Sequence, residues 1–309
     1  MGLSVLLPLV LPLSAWPVAR LAAPRLHPRT ATRLLTRVAA VMGGCSTLCL
    51  ALLTVVATTQ LTGGPVVDLW ADPEIRAAVS RDRVVGRAAV PALGLVAVAC
   101  GRALWRHRRV ARRAHRALTG LRGAPVVVLP DSMPYAYALP GNHERIVVTT
   151  ALLDALAPDE RRALFAHERA HLAARHHRHL LTVHLAACAN PFLRPLRSAV
   201  AYTAERWADE DAARAVGDRR VVARAIGKAA LLSSGAPAPT FAAVAAGGPV
   251  PRRVAALLAP APAGPDRPPL FTAVGAAVWG AAAGATVSAM SSVNSAVTLF
   301  LLLHPAAAL

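Results

Sequence analysis

Two histidines and a glutamate occur at the spacing that binds a catalytic metal ion. His167, Glu168 and His171 form an H-E-x-x-H pattern within residues 163–174, whose sequence is ALFAHERAHLAA. On an α-helix, residues four positions apart lie on the same face, so two imidazoles can converge on one ion. Glu168 lies beside them, where it can accept a proton from a water molecule on that ion. The pattern predicts a hydrolytic metal site, and the alternative is a basic surface helix.

The residues around this motif favour a helix. Pro158 suits a first helical position, and Asp159 and Glu160 suit the positive end of the helix dipole. Alanine, leucine and arginine, which are good helix formers, dominate the residues that follow. We therefore expect one helix to carry both histidines on one face.

A zinc ion in a hydrolase usually takes three protein ligands and a water molecule, so a third ligand is needed. Glu205, in the stretch AERWADEDAA, is the best candidate, and Asp209 follows one turn later on the same face. We predict that Asp209 bonds the far nitrogen of a ligating histidine. The alternative is an acidic helix surface. A third histidine is the fallback ligand, from a group that we place on the same helix as the motif: His176, His177, His179 and His184.

The composition indicates a membrane protein. The chain has 309 residues, of which 55% are hydrophobic and only 16% are charged. Its net charge of +18 comes almost entirely from arginine. No helix-turn-helix, zinc-finger or RNA-binding motif accompanies this charge, so we expect no direct nucleic-acid binding. The four cysteines form no C-x-x-C pair, so we expect neither a disulfide nor a metal role for them.

Four apolar stretches are candidates for transmembrane helices, at about residues 3–19, 38–61, 88–104 and 271–303. Arginines crowd residues 20–37 and the stretch that follows residue 105. Positive charge favours the cytoplasmic side of a membrane, so these regions should be cytoplasmic and residues 63–87 outside. We expect a multi-pass protein of the cell membrane, with both termini outside.

The region between the third and fourth apolar stretches reads as a small α+β domain. Three short strands are predicted, in residues 124–130, 135–140 and 145–150, and helices follow them. Residues 233–270 read as a linker that contains one short helix at 251–258. We predict three domains: a membrane region at 1–104, a cytoplasmic zinc metallopeptidase domain at 105–260, and a linker with the last transmembrane helix at 261–309. The predicted fold is a mainly α membrane protein with an inserted zincin-like α+β domain.

One family shares these motifs. The stretch LAPDERRALFAHERAHLAARHH, then Asn190-Pro191-Phe192, then Glu205 with Asp209, resembles the BlaR/MecR-type integral membrane zinc metallopeptidases, which are relatives of HtpX and Ste24. The resemblance implies one zinc ion per chain, held by His167, His171 and Glu205. It further implies Glu168 as the general base and Asp209 as the partner of a ligand. The strand 135–139 resembles the strand that precedes the site in that family, and residues 250–253 resemble its arginine pair.

The resemblance implies a membrane-embedded zinc metalloendopeptidase that acts on cytoplasmic or membrane proteins. Its substrate should bind in an extended form along an exposed strand edge, at Tyr135, Ala136, Tyr137 and Ala138. One reading is a regulatory protease that cuts a BlaI-type repressor. The alternatives are an HtpX-like quality-control protease and a non-catalytic receptor or scaffold. We expect no penicillin-sensor domain. The expected partners are a protein or peptide substrate and the lipid bilayer.

Overall fold

The computed structural model describes residues 6–62, 73–118, 124–141, 144–232, 250–262 and 272–303. Helices dominate these residues, and a small sheet interrupts them. The helices are α1 (Leu7–Val10), α2 (Ala15–Arg25), α3 (Pro28–Thr62), α4 (Pro73–Ala117), α5 (Thr150–Ala155), α6 (Pro158–Ala173), α7 (His176–Ala189), α8 (Arg194–Val216), α9 (Arg219–Leu232), α10 (Val250–Leu258) and α11 (Ala273–Leu303). Short 3₁₀ turns lie at Leu11–Ser14 and Pro191–Leu193.

Three strands form one sheet, β1 (Val126–Leu129), β2 (Ala136–Leu139) and β3 (Arg145–Thr149). Their order is β1-β3-β2, with β1 parallel and β2 antiparallel to the central strand. Val147 lies in register with Val127 on one side and with Tyr137 on the other. In this order β2 is an edge strand, so one side of its backbone is free of ladder partners within the sheet.

Among the described residues, four helical stretches are long and apolar enough to cross a membrane. They are Leu7–Arg25, Pro28–Val55, Arg87–Ala117 and Gly275–Asn294. The third lies within α4, which begins at Pro73, so residues 73–87 extend this helix rather than forming a loop. Residues 63–72, which the sequence places in the same outside segment, lie outside the described part of the chain.

Helices α7 and α8 form a helical hairpin that packs among the candidate membrane helices. Val183 and Ala186 of α7 and Leu196 and Val200 of α8 are buried in one apolar cluster with residues of α2, α3 and α11. The apolar stretch at residues 180–189 is too short to span a bilayer. It packs instead against α3 within this cluster.

Asn190 forms the tip of this helical hairpin. It ends α7, and its side-chain oxygen accepts a hydrogen bond from the Phe192 backbone N–H at 3.1 Å. Its amide nitrogen donates to Ser46 Oγ at 3.0 Å and faces the Leu9 carbonyl at 3.4 Å. A buried amide needs such partners. Asn190 therefore both turns the chain and fixes the tip against α3.

A second apolar cluster joins α6, α8, α9 and α10. Ala163, Ala212, Val222 and Leu257 are buried in it, one from each helix in that order. The short helix α10 falls where the sequence predicts one, and this cluster holds it against α9. This second cluster holds α6 and α8 side by side, and the polar residues His167 and His171 of α6 face Glu205 of α8.

Candidate metal centre

Helix α6 places the two histidines of the motif one turn apart. Pro158 occupies its first turn, and Glu160 accepts a hydrogen bond from the Ala157 backbone N–H at 2.9 Å. Proline suits this first turn because it has no N–H group to leave unpaired, and the Glu160 carboxylate matches the positive end of the helix dipole. The helix ends at Ala173, and Arg175 takes a left-handed conformation with φ of 51°. The histidines that follow the motif therefore lie on a second helix, α7, and the prediction of a single helix for them is wrong.

His167, His171 and Glu205 converge on one point. The two Nε2 atoms lie 3.0 Å apart, and the Glu205 oxygens lie 3.6 Å from His167 Nε2 and 3.5 Å from His171 Nε2. Each side chain offers one possible ligand atom, a histidine nitrogen or a carboxylate oxygen. Within the described chain these three atoms all lie within 4.8 Å of one another. Two imidazole nitrogens and a carboxylate are a donor set that zinc prefers in hydrolases.

Asp209 and Arg253 hold these side chains from behind. Asp209 Oδ1 lies 3.0 Å from His167 Nδ1, which turns the Nε2 lone pair of this imidazole toward the convergence point. Arg253 donates from Nε and Nη2 to the two Asp209 oxygens at 2.8 and 2.6 Å, and its Nη1 lies 2.8 Å from Glu205 Oε2. All four of these side chains, His167, Glu205, Asp209 and Arg253, are buried. One guanidinium therefore fixes two carboxylates, as its planar fork allows.

His176 makes a corresponding contact with the second histidine. Its Nδ1 lies 2.9 Å from His171 Nδ1, and its ring packs edge-on against Trp207 with centroids 4.8 Å apart. His176 is fully buried, and burial lowers the pKa of both His171, to about 4, and His176. Both rings are therefore neutral near pH 7, and one nitrogen of the pair donates to the other.

Glu168 lies beside the convergence point and next to the sheet. It is buried, and a backbone hydrogen bond joins its carboxylate to Ala138 of β2. Burial raises the pKa of Glu168, with a further contribution from the negative charge of Glu205. A carboxyl group with a raised pKa exchanges a proton more readily near neutral pH, which suits a general base.

The charge of this cluster fits a divalent cation. Glu168, Glu205 and Asp209 are buried with Arg253 as their guanidinium partner, so full ionisation leaves two negative charges in excess. Burial lowers the pKa of His167, but hydrogen bonds to Asp209 and Glu205 outweigh that effect and raise it to about 10. The surroundings of this imidazole therefore favour positive charge, and a zinc ion between the three ligand residues would supply it.

A cleft of about 780 Å³ opens onto these residues. Its walls are residues 95–110 of α4, the strand β2, the His-Glu motif on α6 and residues 176–188 of α7. One end is apolar, where Leu95 and Val98 of α4 are 71% and 58% exposed. The metal-binding face is at the other end. The cleft thus extends from the candidate metal centre along a candidate membrane helix.

The remaining residues singled out in the sequence fall at different distances from the centre. Ala136, Tyr137 and Ala138 line the cleft, whereas Tyr135 stacks on Tyr137 and donates its hydroxyl to Asp131 at 3.1 Å. Tyr135 is not among the lining residues of this cleft. His177 and His184 line the cleft, and His179 packs toward Trp207.

The roles of Arg253 and His176 were not predicted from the sequence. The arginine pair near residue 252 was the signal for the first, and the cluster of histidines after the motif was the signal for the second. Neither signal identifies the residue that is contacted, because both contacts join residues from different helices.

Comparison with known proteins supports a peptidase. Residues 101–189 match the model of peptidase family M48, which supports membership of that metallopeptidase family. The matched segment contains His167, Glu168 and His171 but ends before Glu205. M48 enzymes are zinc metallopeptidases. No curated protein and no solved structure matches the chain significantly. The match and the His/His/Glu cluster together support a metallopeptidase, and the four apolar helices among the described residues indicate membrane association.

Proposed function

We propose that this chain is a membrane-embedded zinc metalloendopeptidase whose ligands are His167, His171 and Glu205. The convergence of these three side chains is the observation that carries the proposal, because their ligand atoms lie within 4.8 Å of one another in a buried, negatively charged cluster. The family match to residues 101–189 independently supports a metallopeptidase. A zinc ion bound there would polarise the scissile carbonyl and lower the pKa of a water molecule.

The protein's own residues supply proton transfer and orientation. Glu168 accepts the proton of the attacking water and donates it to the leaving amine, and its raised pKa suits both steps. Asp209 orients the His167 ring, and Arg253 keeps the Asp209 and Glu205 carboxylates in place. Both histidines therefore present Nε2 to the same point without rearrangement.

The edge strand β2 is the proposed binding site for the substrate backbone. Its residues Ala136 and Ala138 line the cleft, and Ala138 is hydrogen-bonded to Glu168. An extended peptide can pair with a free strand edge through backbone hydrogen bonds. Pairing at β2 would bring a peptide bond next to Glu168. Tyr137 lines the same wall, so it would contact a substrate side chain.

The shape of the cleft favours a substrate with an apolar segment. Leu95 and Val98 belong to the stretch Arg87–Ala117, which is long and apolar enough to span a membrane. A substrate that lies along α4 would place its apolar part at the membrane level and its scissile bond at the metal end. This arrangement favours a membrane protein substrate, as for a quality-control protease. A soluble BlaI-type repressor is the other candidate, and the sequence resemblance supports it.

Metal content and cleavage should be measured together on purified protein, with an unfolded reporter protein as substrate. We expect one zinc ion per chain, lost in His167→Ala. Glu168→Gln should keep the zinc and lose nearly all cleavage, because it removes the base and no ligand. Undiminished cleavage by Glu168→Gln would refute the mechanism. A chain that binds zinc but cleaves neither soluble nor membrane-anchored reporters would instead be the receptor or scaffold.

The substrate class can be separated with two matched substitutions on α4. Val98→Gln makes the apolar end of the cleft polar, whereas Val90→Gln changes an exposed residue of the same helix that does not line the cleft. We expect Val98→Gln to slow cleavage of a membrane-anchored reporter and to spare the soluble version of the same sequence. Equal effects of Val98→Gln and Val90→Gln, or equal cleavage of both reporters, would favour a soluble substrate.

A further inference from the structure

A row of arginines lies at the start of α3. Arg29, Arg33 and Arg37 are spaced four residues apart and are all exposed, so they share one helix face. The N-terminal end of a helix carries partial positive charge, and the first turn of α3 contains no acidic residue. Arg29 lies in this first turn, and Arg33 and Arg37 continue the same positively charged face along the next two turns.

Trp207 of α8 forms the floor beneath two of these arginines. The guanidinium carbons of Arg29 and Arg33 lie 5.5 and 5.2 Å from the centre of its ring, within the range of cation–π contacts. His179 of α7 packs on the same indole at 6.4 Å. One aromatic ring thus gathers three basic side chains from two helices.

One carboxylate lies at the indole: Asp211 accepts a hydrogen bond from Trp207 Nε1 at 3.1 Å, and it pairs with Arg214. The other ion pairs of α8 near Trp207 use Arg206, Arg219 and Arg253, and none of the described ion pairs involves the three arginines of α3. Burial, and then the charges of Arg33 and Arg37, lower the pKa of His179. The three arginines of α3 therefore have no carboxylate partner among the described ion pairs, and they are available to an external anion.

The three arginines lie directly before the apolar part of a candidate membrane helix. The apolar part of α3 begins at Val38, directly after Arg37, within the candidate span Pro28–Val55. Arginines at this point of a membrane helix lie at the level of the lipid headgroups. A phosphate group at that level can accept several guanidinium hydrogen bonds at once.

We propose that Arg29, Arg33 and Arg37, with Trp207 beneath them, bind the phosphate of an anionic phospholipid. The site lies near the candidate metal centre, because Trp207 also packs against His176, and His176 contacts the ligand residue His171. A bound headgroup thus stabilises the position of an indole that supports the metal-binding face. This proposal does not depend on peptide hydrolysis.

Lipid retention by the full chain tests the proposal. The protein is reconstituted in bilayers of phosphatidylcholine mixed with phosphatidylglycerol, extracted with mild detergent, and its retained lipids are counted by mass spectrometry. We expect the wild-type protein to retain phosphatidylglycerol in preference to phosphatidylcholine. In the triple variant R29Q/R33Q/R37Q this preference should fall by on the order of tenfold or more, because each arginine near an anionic surface adds to the binding of anionic lipid. Arg33→Gln alone should lose part of it.

A matched control removes the same charge elsewhere. Arg108, Arg112 and Arg113 are exposed on the basic end of α4 and do not line the cleft. R108Q/R112Q/R113Q should keep the phosphatidylglycerol preference. Equal loss in both triple variants would reduce the effect to net charge and overturn the proposal. Equal retention of both lipids by wild type would also overturn it, and would leave an acidic protein segment as the occupant.

Discussion

His176 Nδ1 lies 2.9 Å from Nδ1 of His171, so one imidazole fixes the orientation of another. Because His171 must present an unprotonated Nε2 to a metal, its proton belongs on Nδ1, where His176 accepts it. We expect His176→Ala to weaken zinc affinity by about 10- to 100-fold, as other losses of such partners do. Competition with a chromophoric chelator measures this affinity directly.

Two further variants distinguish orientation from a general loss of structure. An asparagine side chain also offers an acceptor, so His176→Asn should recover part of the affinity. His177→Ala changes the next residue, which lines the cleft but has no described contact with a ligand residue, and should bind zinc as wild type does. Normal affinity in His176→Ala would show that the His171 ring needs no such partner.

Local spacing explains why part of this site was predictable. His167, Glu168 and His171 lie within one helical turn, so their relation follows from helix geometry alone. Asp209 follows Glu205 by four residues on α8 for the same reason. The pairing of α6 with α8 was inferred from the need for a third zinc ligand and from the family resemblance. The structure brings these helices together through the alanine-rich cluster around Ala163 and Ala212.

The contacts that were missed depend on long-range packing or on an uncommon backbone conformation. Arg175 takes a left-handed conformation that is rare for a residue other than glycine, and no turn signal precedes it. The break there turns His176 back toward His171. Arg253 reaches Asp209 from a short helix 44 residues later in the chain. Sequence patterns indicated that helix but not the face on which it would dock.

Arg253 is the cationic partner of two buried carboxylates, so its removal should be costly. Arg253→Met leaves Asp209 and Glu205 buried without their guanidinium, and breaking a buried pair in this way typically costs about 3–5 kcal/mol. Thermal unfolding of the metal-free protein in detergent should show a clear decrease in Tm. Added zinc should restore part of the stability, because it supplies positive charge at the same carboxylates.

The neighbouring arginine provides the control for this substitution. Arg252 is exposed and lies over the Tyr202 ring at 5.5 Å, outside the buried cluster. Arg252→Met should change the free energy of unfolding by less than about 1 kcal/mol, the range of exposed cation–π contacts. Equal decreases in Tm for the two variants would contradict the role assigned to Arg253.

Gly43 allows α3 to approach the helical hairpin. A Cβ at this position would meet Cα and Cβ of Ala186 at 3.0 Å, and the backbone of α7 cannot move aside easily. Gly43→Val should therefore separate α3 from α7 and cost about 1–3 kcal/mol through overpacking. Gly44→Val is the matched control, since a Cβ there meets no atom within 4 Å. Detergent unfolding curves that coincide for the two variants would rule out a close contact at Gly43.

Glu160 gives a pH dependence that is separate from the metal centre. Burial raises its pKa, but hydrogen bonds from Lys228 Nζ at 2.7 Å and from the Ala157 N–H outweigh this and lower the pKa below 4.5. A carboxyl group with a depressed folded-state pKa stabilises the fold above its unfolded pKa and loses that contribution as pH falls through the folded value. Glu160→Gln should therefore cost about 1 kcal/mol at pH 7, allowing for the half-exposed lysine. The difference from wild type should shrink as the pH falls below about 4.5.

The exposed neighbour Asp159 provides the control. It pairs only with Arg162 among the described ion pairs, so Asp159→Asn should differ little from wild type in stability at either pH. A Glu160→Gln penalty that stays constant from pH 7 to pH 3 would show that the carboxylate charge does not contribute.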